Sequence, residues 1–242
     1  MSSCRTTPRS GERMPAVRRA VHLAYSLGHT AASGTDLRDD ELAARAMHLA
    51  RSLSRSRPED RENAGLLGLL LLSQARAGSR MSAEGGQVLL EDEDRSLWDN
   101  AMIEEGLRCT GFAIADQFPG PFAWQAAIVA EHARSRSFPD TDWSKIVELY
   151  GKLLTVEPSP TIALGRSLAL SYVDGPAEGL VDLDEVMAVS RLDGYCYAHA
   201  ARAQLLDRLG RTHDARRAWV RAASTARTDA EREFFQSRAR SE

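Results

Sequence analysis

Apolar residues recur at helical spacing along almost the whole chain, and this periodicity limits the fold more than any other feature. Within residues 39–54, for example, Leu42, Ala46, Leu49 and Leu53 fall on one face of a helix. A face of this kind must be buried against another element. We therefore predict an all-α protein with helices at 15–28, 39–54, 60–77, 94–116, 121–136, 142–155, 160–173, 177–189, 194–209, 212–226 and 229–240.

Residues 79–92 interrupt this helical pattern. An acidic residue and two glycines at 84–86 favour a turn, and a short apolar run follows at 88–90. We predict one short hairpin or ordered loop in this segment, and no larger sheet anywhere in the chain.

The C-terminal half repeats itself with a period close to 35 residues. Gly175 and Gly210 are 35 residues apart, and each lies between two predicted helices. Tyr150, Asp184 and Trp219 recur at intervals of 34 and 35 residues in the second helix of each predicted pair. A helix pair cannot bury its apolar face alone, so successive pairs stack. The spacing predicts stacked antiparallel helix pairs of the tetratricopeptide-like kind, with Asp184 standing where an aromatic residue is usual.

The charge balance and the cysteine content argue against several classes of function. The 242 residues carry 31 basic and 34 acidic side chains, a formal net charge of -3. Such a balance provides no general attraction to nucleic acid or membranes, so we expect neither membrane association nor specific DNA binding. The three cysteines, Cys4, Cys109 and Cys196, form no Cys-x-x-Cys pair, and they imply neither a zinc site nor a disulfide framework. These features fit a cytoplasmic location.

The domain organisation follows from composition. Residues 1–13 contain almost nothing to bury, and we expect a disordered basic tail there. Residues 14–242 form a single predicted helical-repeat domain, and its candidate sub-halves are 14–116 and 121–242. The longest apolar run, Leu66–Leu72, is too short to span a bilayer.

Several segments, taken together and in order, resemble one known family. The segments are Ala64–Leu72, Val88–Asp99, Gly120–Phe122, Gln125–Ile128, Thr141–Trp143, Pro158–Pro160, His199–Arg202 and Leu209–Arg211. They are similar to the helical-repeat (tetratricopeptide-like) extension that follows the promoter-binding regions in a group of extracytoplasmic-function sigma factors of RNA polymerase. The resemblance covers roughly residues 14–240, nearly the whole chain.

The resemblance implies a connection with RNA polymerase. It does not imply promoter recognition, because the matched region includes neither promoter-binding domain. The chain departs from the family at polar positions and keeps the apolar framework. Such extensions usually carry Asn in the phrase that here reads Ala163-Leu164-Gly165-Arg166, and further departures fall at positions 26, 27, 29, 73 and 74.

Polar residues at helical spacing form three stripes that are candidates for a ligand-binding cleft. The stripes consist of Asp94, Trp98 and Glu105, of Gln125 and His132, and of Tyr195, His199 and Arg202. In a solenoid, the first helices of successive pairs line the concave surface. We predict that these side chains face one interior cleft between the two halves, which would suit a polar small molecule or a peptide.

Each of these residues also has a structural interpretation. Carboxylates such as Asp94 and Glu105 are typical of ion pairs, and Trp98 and Trp143 are typical of core packing. A lone histidine is more often a hydrogen-bonded structural residue than a ligand. The chain has no phosphate-binding loop, nucleophile elbow or HExxH motif, so we assign no catalytic residue, metal or cofactor.

Two functions from different classes follow. The first is a sigma-factor-related regulatory or binding domain that acts in transcription through contacts with a protein, such as an RNA polymerase-associated one, or with a small ligand. The second is a free-standing enzyme or small-molecule-binding protein recruited from the same scaffold, for instance in secondary metabolism. A truncated, inactive remnant is the third hypothesis. Whether any reaction is catalysed stays open.

Overall fold

The computed structural model describes residues 10–29, 40–80, 88–190 and 192–240, which are helical almost throughout. Within these ranges eleven α-helices and one 3-10 turn follow one another, and there is no β-strand. The helices are α1 (Ser10–His29), α2 (Asp40–Ser56), α3 (Arg61–Ala75), α4 (Asn100–Ile114), α5 (Pro121–Arg134), α6 (Trp143–Val156), α7 (Pro160–Val173), α8 (Pro176–Val189), α9 (Cys196–Arg208), α10 (Thr212–Thr225) and α11 (Asp229–Arg240). The prediction of an all-α fold built from adjacent, stacked helices is confirmed.

The predicted repeat corresponds to helix pairs in the C-terminal half. α7 packs against α8 and α9 packs against α10, and Gly175 and Gly210 lie in the turns inside these two pairs. Both glycines have a positive φ, +104° and +69°, a conformation that strains any residue with a Cβ. Trp219, in the second helix of its pair, is 1% exposed and belongs to the core of this half.

α3 is the central helix of the N-terminal half. Every residue from Asn63 to Leu72 is buried, because α1, α2, α4 and α5 all pack on α3. Two glycines permit this close packing. A Cβ on Gly65 would lie 2.7 Å from the backbone nitrogen of Ala123, and a Cβ on Gly68 would lie 2.7 Å from Thr110 Oγ1.

The beginning of α5 is held by a side chain from α3. Its N-cap residue, Gly120, has no side chain to accept hydrogen bonds from the first N–H groups. The Glu62 carboxylate takes this role and accepts from Ala123 N at 3.0 Å and from Phe122 N at 3.3 Å. Gly120 suits the position, since a Cβ there would overlap the Glu62 carboxyl group. α5 is thereby tied to the N-terminal half, where Phe122 packs in the cluster around α3; the division into two sub-halves stays a prediction.

Two helix starts differ from the prediction. α1 begins at Ser10, so the helix extends into the predicted tail of residues 1–13, of which 1–9 lie outside the described residues. Residues 94–99 are not part of α4 but contain a 3-10 turn at Arg95–Leu97. α4 starts only at Asn100, because the Asp99 side chain caps it by accepting a hydrogen bond from Met102 N at 2.9 Å.

The hairpin or ordered loop predicted near residues 79–92 is described in part. Residues 81–87 lie outside the described residues. The two flanking residues are joined by a hydrogen bond, in which the Val88 N–H donates to the Arg80 carbonyl at 2.9 Å. Asp92 N–H then donates to Leu89 O at 2.9 Å and closes a turn. None of the described helices is long and apolar enough to cross a membrane.

Candidate functional site

An aromatic cluster lies between the end of α5, the start of α6 and the end of α7. Trp143 and Tyr172 stack with ring centroids 4.2 Å apart and planes inclined by 18°. Phe138 packs edge-on against both rings, with centroid distances of 5.1 and 5.3 Å. His132 packs edge-on against Trp143 at 5.2 Å. The start of α6 positions Trp143, because the neighbouring Asp142 caps the helix by accepting from Lys145 N at 2.9 Å.

This cluster forms a wall of a cavity of about 250 Å³. The floor comes from α7, and one side comes from the chain's own segment at 89–91. The lining residues are Leu89, Leu90, Glu91, His132, Phe138, Trp143, Ile146, Tyr150, Gly165, Leu168, Ala169, Tyr172 and Gln204. Most of this surface is apolar or aromatic, as in sites that bind peptides or small molecules.

A second cavity, of about 230 Å³, lies beside the first. Four residues line both: Leu89, Gly165, Leu168 and Gln204. Its other lining residues are Thr161, Leu164, Tyr197, Ala200, Ala201, Trp219, Phe234 and Phe235. We refer to the two cavities and their four shared residues as the concave groove. α7 and α9, the first helices of two successive pairs, contribute more of its lining residues than the other helices do, and α6 and α11 contribute further residues.

Gly165 leaves the space in which the two cavities meet. A Cβ at this position would lie 2.6 Å from Tyr150 Oη, so a side chain would displace the tyrosine. Burial raises the pKa of Tyr150, which keeps its hydroxyl protonated.

The turn Leu89–Asp92 lies at the groove, and its first three residues are among the lining residues. Leu89 lines both cavities, and Leu90 and Glu91 line the one beside Trp143. The turn closed by Asp92 N and Leu89 O presents the two leucines next to each other. The concave groove thus already holds a short leucine-bearing turn with an acidic residue after it.

Arginines border this part of the groove. The Arg208 guanidinium lies 4.3 Å from the centroid of the Tyr172 ring and donates to Ser171 Oγ and Ser171 O at 2.7 and 2.9 Å. Arg80 forms no ion pair with another described residue. Burial, then the nearby Arg76, lower the Arg80 pKa. These two arginines therefore place positive charge beside the groove, where Glu91 lines the first cavity.

His132 and Arg95 contain polar atoms that the fold leaves unpaired. Arg95 Nη1 donates to the carbonyls of His132 and Ser135 at the end of α5, both at 2.6 Å. Arg95 Nη2 and His132 Nδ1 are buried and have no hydrogen-bond partner among the described residues. Burial, followed by the charges of Arg76 and Arg95, lowers the pKa of His132 to about 4. His132 is therefore neutral at pH 7.

Of the eight residues predicted to share a cleft, His132 is the one found among the residues that line the two cavities of the concave groove. Trp98 lies close by, because the Arg95 guanidinium is 4.7 Å from the centroid of its ring. Trp98 itself is 5% exposed, and its Nε1 donates to Ser79 Oγ at 2.9 Å, so it is a core residue. Asp94 is exposed and caps the 3-10 turn by accepting from Ser96 N at 2.9 Å.

The charged residues of the predicted cleft pair with neighbouring helices. Glu105 binds Arg51 of α2 through two hydrogen bonds, one of them 2.8 Å between Nη2 and Oε2. Arg202 donates to the Asp184 carboxylate of α8 at 2.7 and 3.2 Å. Asp184, at the repeat position where an aromatic residue is usual, is thus the ion-pair partner of Arg202. These groups stabilise helix contacts and do not face a shared cleft.

The remaining predicted residues also contact local partners. Gln125 Nε2 donates to Glu157 Oε2 at 3.3 Å. His199 is buried with its Nε2 2.9 Å from Asp193 O. Tyr195 is 36% exposed and packs against the ring of Tyr197. The stripes come apart because residues 94–99 are not helical, and because each stripe faces the next helix in the array.

Sequence reasoning missed most of the groove. Trp143 was expected in the core, yet it is partly exposed and forms the groove wall. A weak signal was present in the spacing: Gly165, Leu168 and Tyr172 lie at i, i+3 and i+7 on one face of α7, and Tyr197, Ala200 and Gln204 have the same spacing on α9. All six residues line the groove. Among the described residues, no group of three or more His, Cys, Asp or Glu side chains is placed to hold a metal ion.

The fold and the groove define a protein of stacked helix pairs with an aromatic concave surface. Residues 13–113 match a family model described as a family of unknown function (DUF6596). The chain is also similar to the uncharacterized protein R00370 of Rhizobium meliloti (strain 1021), with 39% identity over 224 residues. This match covers 93% of the chain and 52% of the relative, so the chain spans about half the length of the curated relative it matches. No solved structure matches the chain.

Proposed function

We propose that the chain is a helical-repeat binding domain, related to the extensions of extracytoplasmic-function sigma factors, that acts in transcription regulation by holding a segment of a protein partner in the concave groove. The observation that carries the proposal is the occupied groove. Its aromatic and apolar walls already accept a short turn at Leu89–Asp92 and leave about 250 and 230 Å³ unfilled on either side. Walls of this kind suit the apolar anchors of a peptide.

The order of the matching segments supports the link to sigma factors. Several of these segments build the framework: Leu66–Leu72 forms the core of α3, and Gly120–Phe122 begins α5 under the Glu62 cap. They support a shared scaffold, and the groove residues then set the partner. RNA polymerase core enzyme is the partner that the resemblance suggests first.

The test is direct binding of purified RNA polymerase core enzyme to the immobilised chain. We expect saturable binding by the wild type, and loss of it in Leu168→Arg, which places a charge at the centre of the groove. Val181→Arg is the matched control, because Val181 lies on α8, is 61% exposed and lines neither cavity. Equal binding by all three proteins, or none by the wild type, would contradict this function.

The alternative proposal is a small-molecule-binding protein or an enzyme on the same scaffold. It is favoured by the cavity beside Trp143, whose aromatic walls include His132 with its unpaired ring nitrogen. Native mass spectrometry of the protein as purified distinguishes this alternative. A non-covalent adduct that is present in the wild type and absent from Trp143→Ala would favour a small ligand over a protein partner.

A further inference from the structure

We propose that Leu89–Asp92 is a built-in competitor, and that the partner segment it imitates is a short turn with two adjacent leucines followed by acidic residues. This inference rests on the proposed function, since it names the kind of segment that the concave groove accepts. Three observations carry it: the position of the leucines, the positive border, and the weak attachment of the turn.

The leucines lie where an apolar anchor of a partner would lie. Leu89 lines both cavities, as do Gly165, Leu168 and Gln204. Leu90 lines the cavity with Phe138, Trp143 and Tyr172. Both leucines are only partly buried. The groove therefore holds them without enclosing them, and a second segment can replace them at a modest loss of buried apolar area.

The border of the groove favours acidic residues next to the leucines. Glu91 lies near Tyr172, whose ring carries the Arg208 guanidinium on its face at 4.3 Å. Arg80 has no ion-pair partner among the described residues and interacts electrostatically with Tyr197 of α9 and with Glu93. Glu93 is occupied elsewhere: it accepts from Arg76 at 2.6 and 3.2 Å and from Ser79 at 2.8 Å. Among the described residues, the Arg80 guanidinium therefore has no ion-pair partner, and it would pair with an acidic side chain brought by a partner.

The turn is attached through few bonds of its own. Between Val88 and Asp92 the backbone makes two hydrogen bonds with other described residues, Val88 N to Arg80 O and Asp92 N to Leu89 O, both 2.9 Å. The firm anchor is the next residue, Glu93, with its bonds to Arg76 and Ser79. The turn can therefore leave the groove while Glu93 stays in place, and it returns at the high effective concentration of a tethered ligand.

The test uses the chain's own sequence as the probe. A fluorescein-labelled peptide of residues 88–94 is titrated with the full chain, and fluorescence anisotropy is recorded. We expect weak binding to the wild type, because the internal turn competes, and at least about tenfold tighter binding to Leu89→Ser/Leu90→Ser, as for a site that is occupied about 90% of the time. Adding Leu168→Arg to this double variant should abolish peptide binding, whereas adding Val181→Arg should not.

A second measurement needs no substitution. Hydrogen exchange at the amides of Val88 and Asp92 in the wild type should accelerate when excess unlabelled peptide is added, since displacement breaks both hydrogen bonds.

A peptide in which the residues equivalent to Glu91 and Asp92 are Gln and Asn should bind more weakly at low salt.

The outcomes separate this inference from the proposed function. If the opened variant is folded by circular dichroism and binds the peptide no more tightly than the wild type, and Val88 exchange is unchanged, the competitor is disproved. Should RNA polymerase still bind the wild type and not Leu168→Arg, the proposed function survives that result. If the peptide competes with the internal turn but RNA polymerase does not bind, the inference about the groove is supported and the proposed partner is wrong.

Discussion

At the scale of single residues, His132 lies in an environment that favours its neutral form. Its ring lies against Trp143, its carbonyl accepts from Arg95, and its Nδ1 is buried without a partner. A protonated ring would be desolvated and would face the charges of Arg76 and Arg95, so its pKa falls to about 4. The neutral ring suits a groove that binds apolar side chains.

This environment predicts a stability that depends on pH. The folded-state pKa of His132 lies below its usual value of 6.5, so as pH falls the unfolded chain takes up the proton first. The free energy of unfolding should be unaffected by His132 above about pH 6.5 and should fall by about 3 kcal/mol between pH 6.5 and 4, with no further loss below. His132→Phe should remove this part of the pH dependence.

Urea unfolding of both proteins at pH 7, 5.5 and 4.5 measures the effect. Burial also lowers the pKa of His22, but His22 is present in both proteins and its contribution cancels in the difference. If the free energy of unfolding changed with pH in the same way for the wild type and the variant, protonation of His132 in the folded state would not reduce stability, and the prediction would be wrong.

At the scale of elements, the cap on α5 is supplied by another helix, and this makes α3 and α5 depend on each other. Glu62→Ala leaves the N–H groups of Phe122 and Ala123 without their acceptor. We expect a loss of about 1–2 kcal/mol in the free energy of unfolding. Glu62→Gln keeps an acceptor oxygen and should lose less.

The matched control for the cap is Glu59→Ala, an exposed carboxylate just before α3. Its removal should change the free energy of unfolding by no more than about 0.5 kcal/mol. Urea unfolding of the four proteins gives the comparison. If Glu62→Ala is as stable as Glu59→Ala, water caps α5 as well as the carboxylate does.

The elements were predictable where their signals are local. Pro121, Pro160 and Pro176 begin α5, α7 and α8, and a proline suits the first turn of a helix wherever it lies in a fold. Residues 94–99 were mistaken for helix, although Asp94 and Asp99 are both good cap residues. The choice between one long helix and a capped turn depends on Arg95, which binds the end of α5. That contact joins residues 40 apart, and helical periodicity holds no information about it.

At the scale of the whole molecule, the candidate site was harder to predict than the fold. Periodicity identifies the buried face of each helix, but it does not show which faces meet. Glu105 and Arg202 lie on polar stripes, and each found a partner on an adjacent helix, Arg51 and Asp184. The groove is lined mainly by small, apolar and aromatic residues of α6, α7 and α9. Such residues are also typical of ordinary packing, so their pattern alone did not indicate a surface.

The distribution of charge over the whole molecule leads to the last prediction, which concerns DNA. The net charge is -3, yet the outer side of α10 carries three exposed arginines for which no ion pair is found among the described residues. These are Arg216, Arg217 and Arg221, which lie on the exposed side of α10, whereas Trp219 is buried. One basic helix face attracts phosphates weakly and reads no sequence.

We therefore expect no preference for a promoter duplex over a scrambled duplex at 0.15 M salt, and weak, equal binding of both at about 0.02 M salt, where screening is slight. Replacing the three arginines with Gln should abolish the low-salt binding. The number of phosphate contacts inferred from the salt dependence of binding should fall by about 3 at most. Arg45→Gln, on α2 and paired with Glu41, is the control and should bind as the wild type does. Gel retardation with both duplexes at the two salt concentrations measures this. Selective retardation of the promoter at 0.15 M salt would mean that the chain recognises DNA by a surface other than this helix face, because three arginines in a row cannot distinguish base sequences.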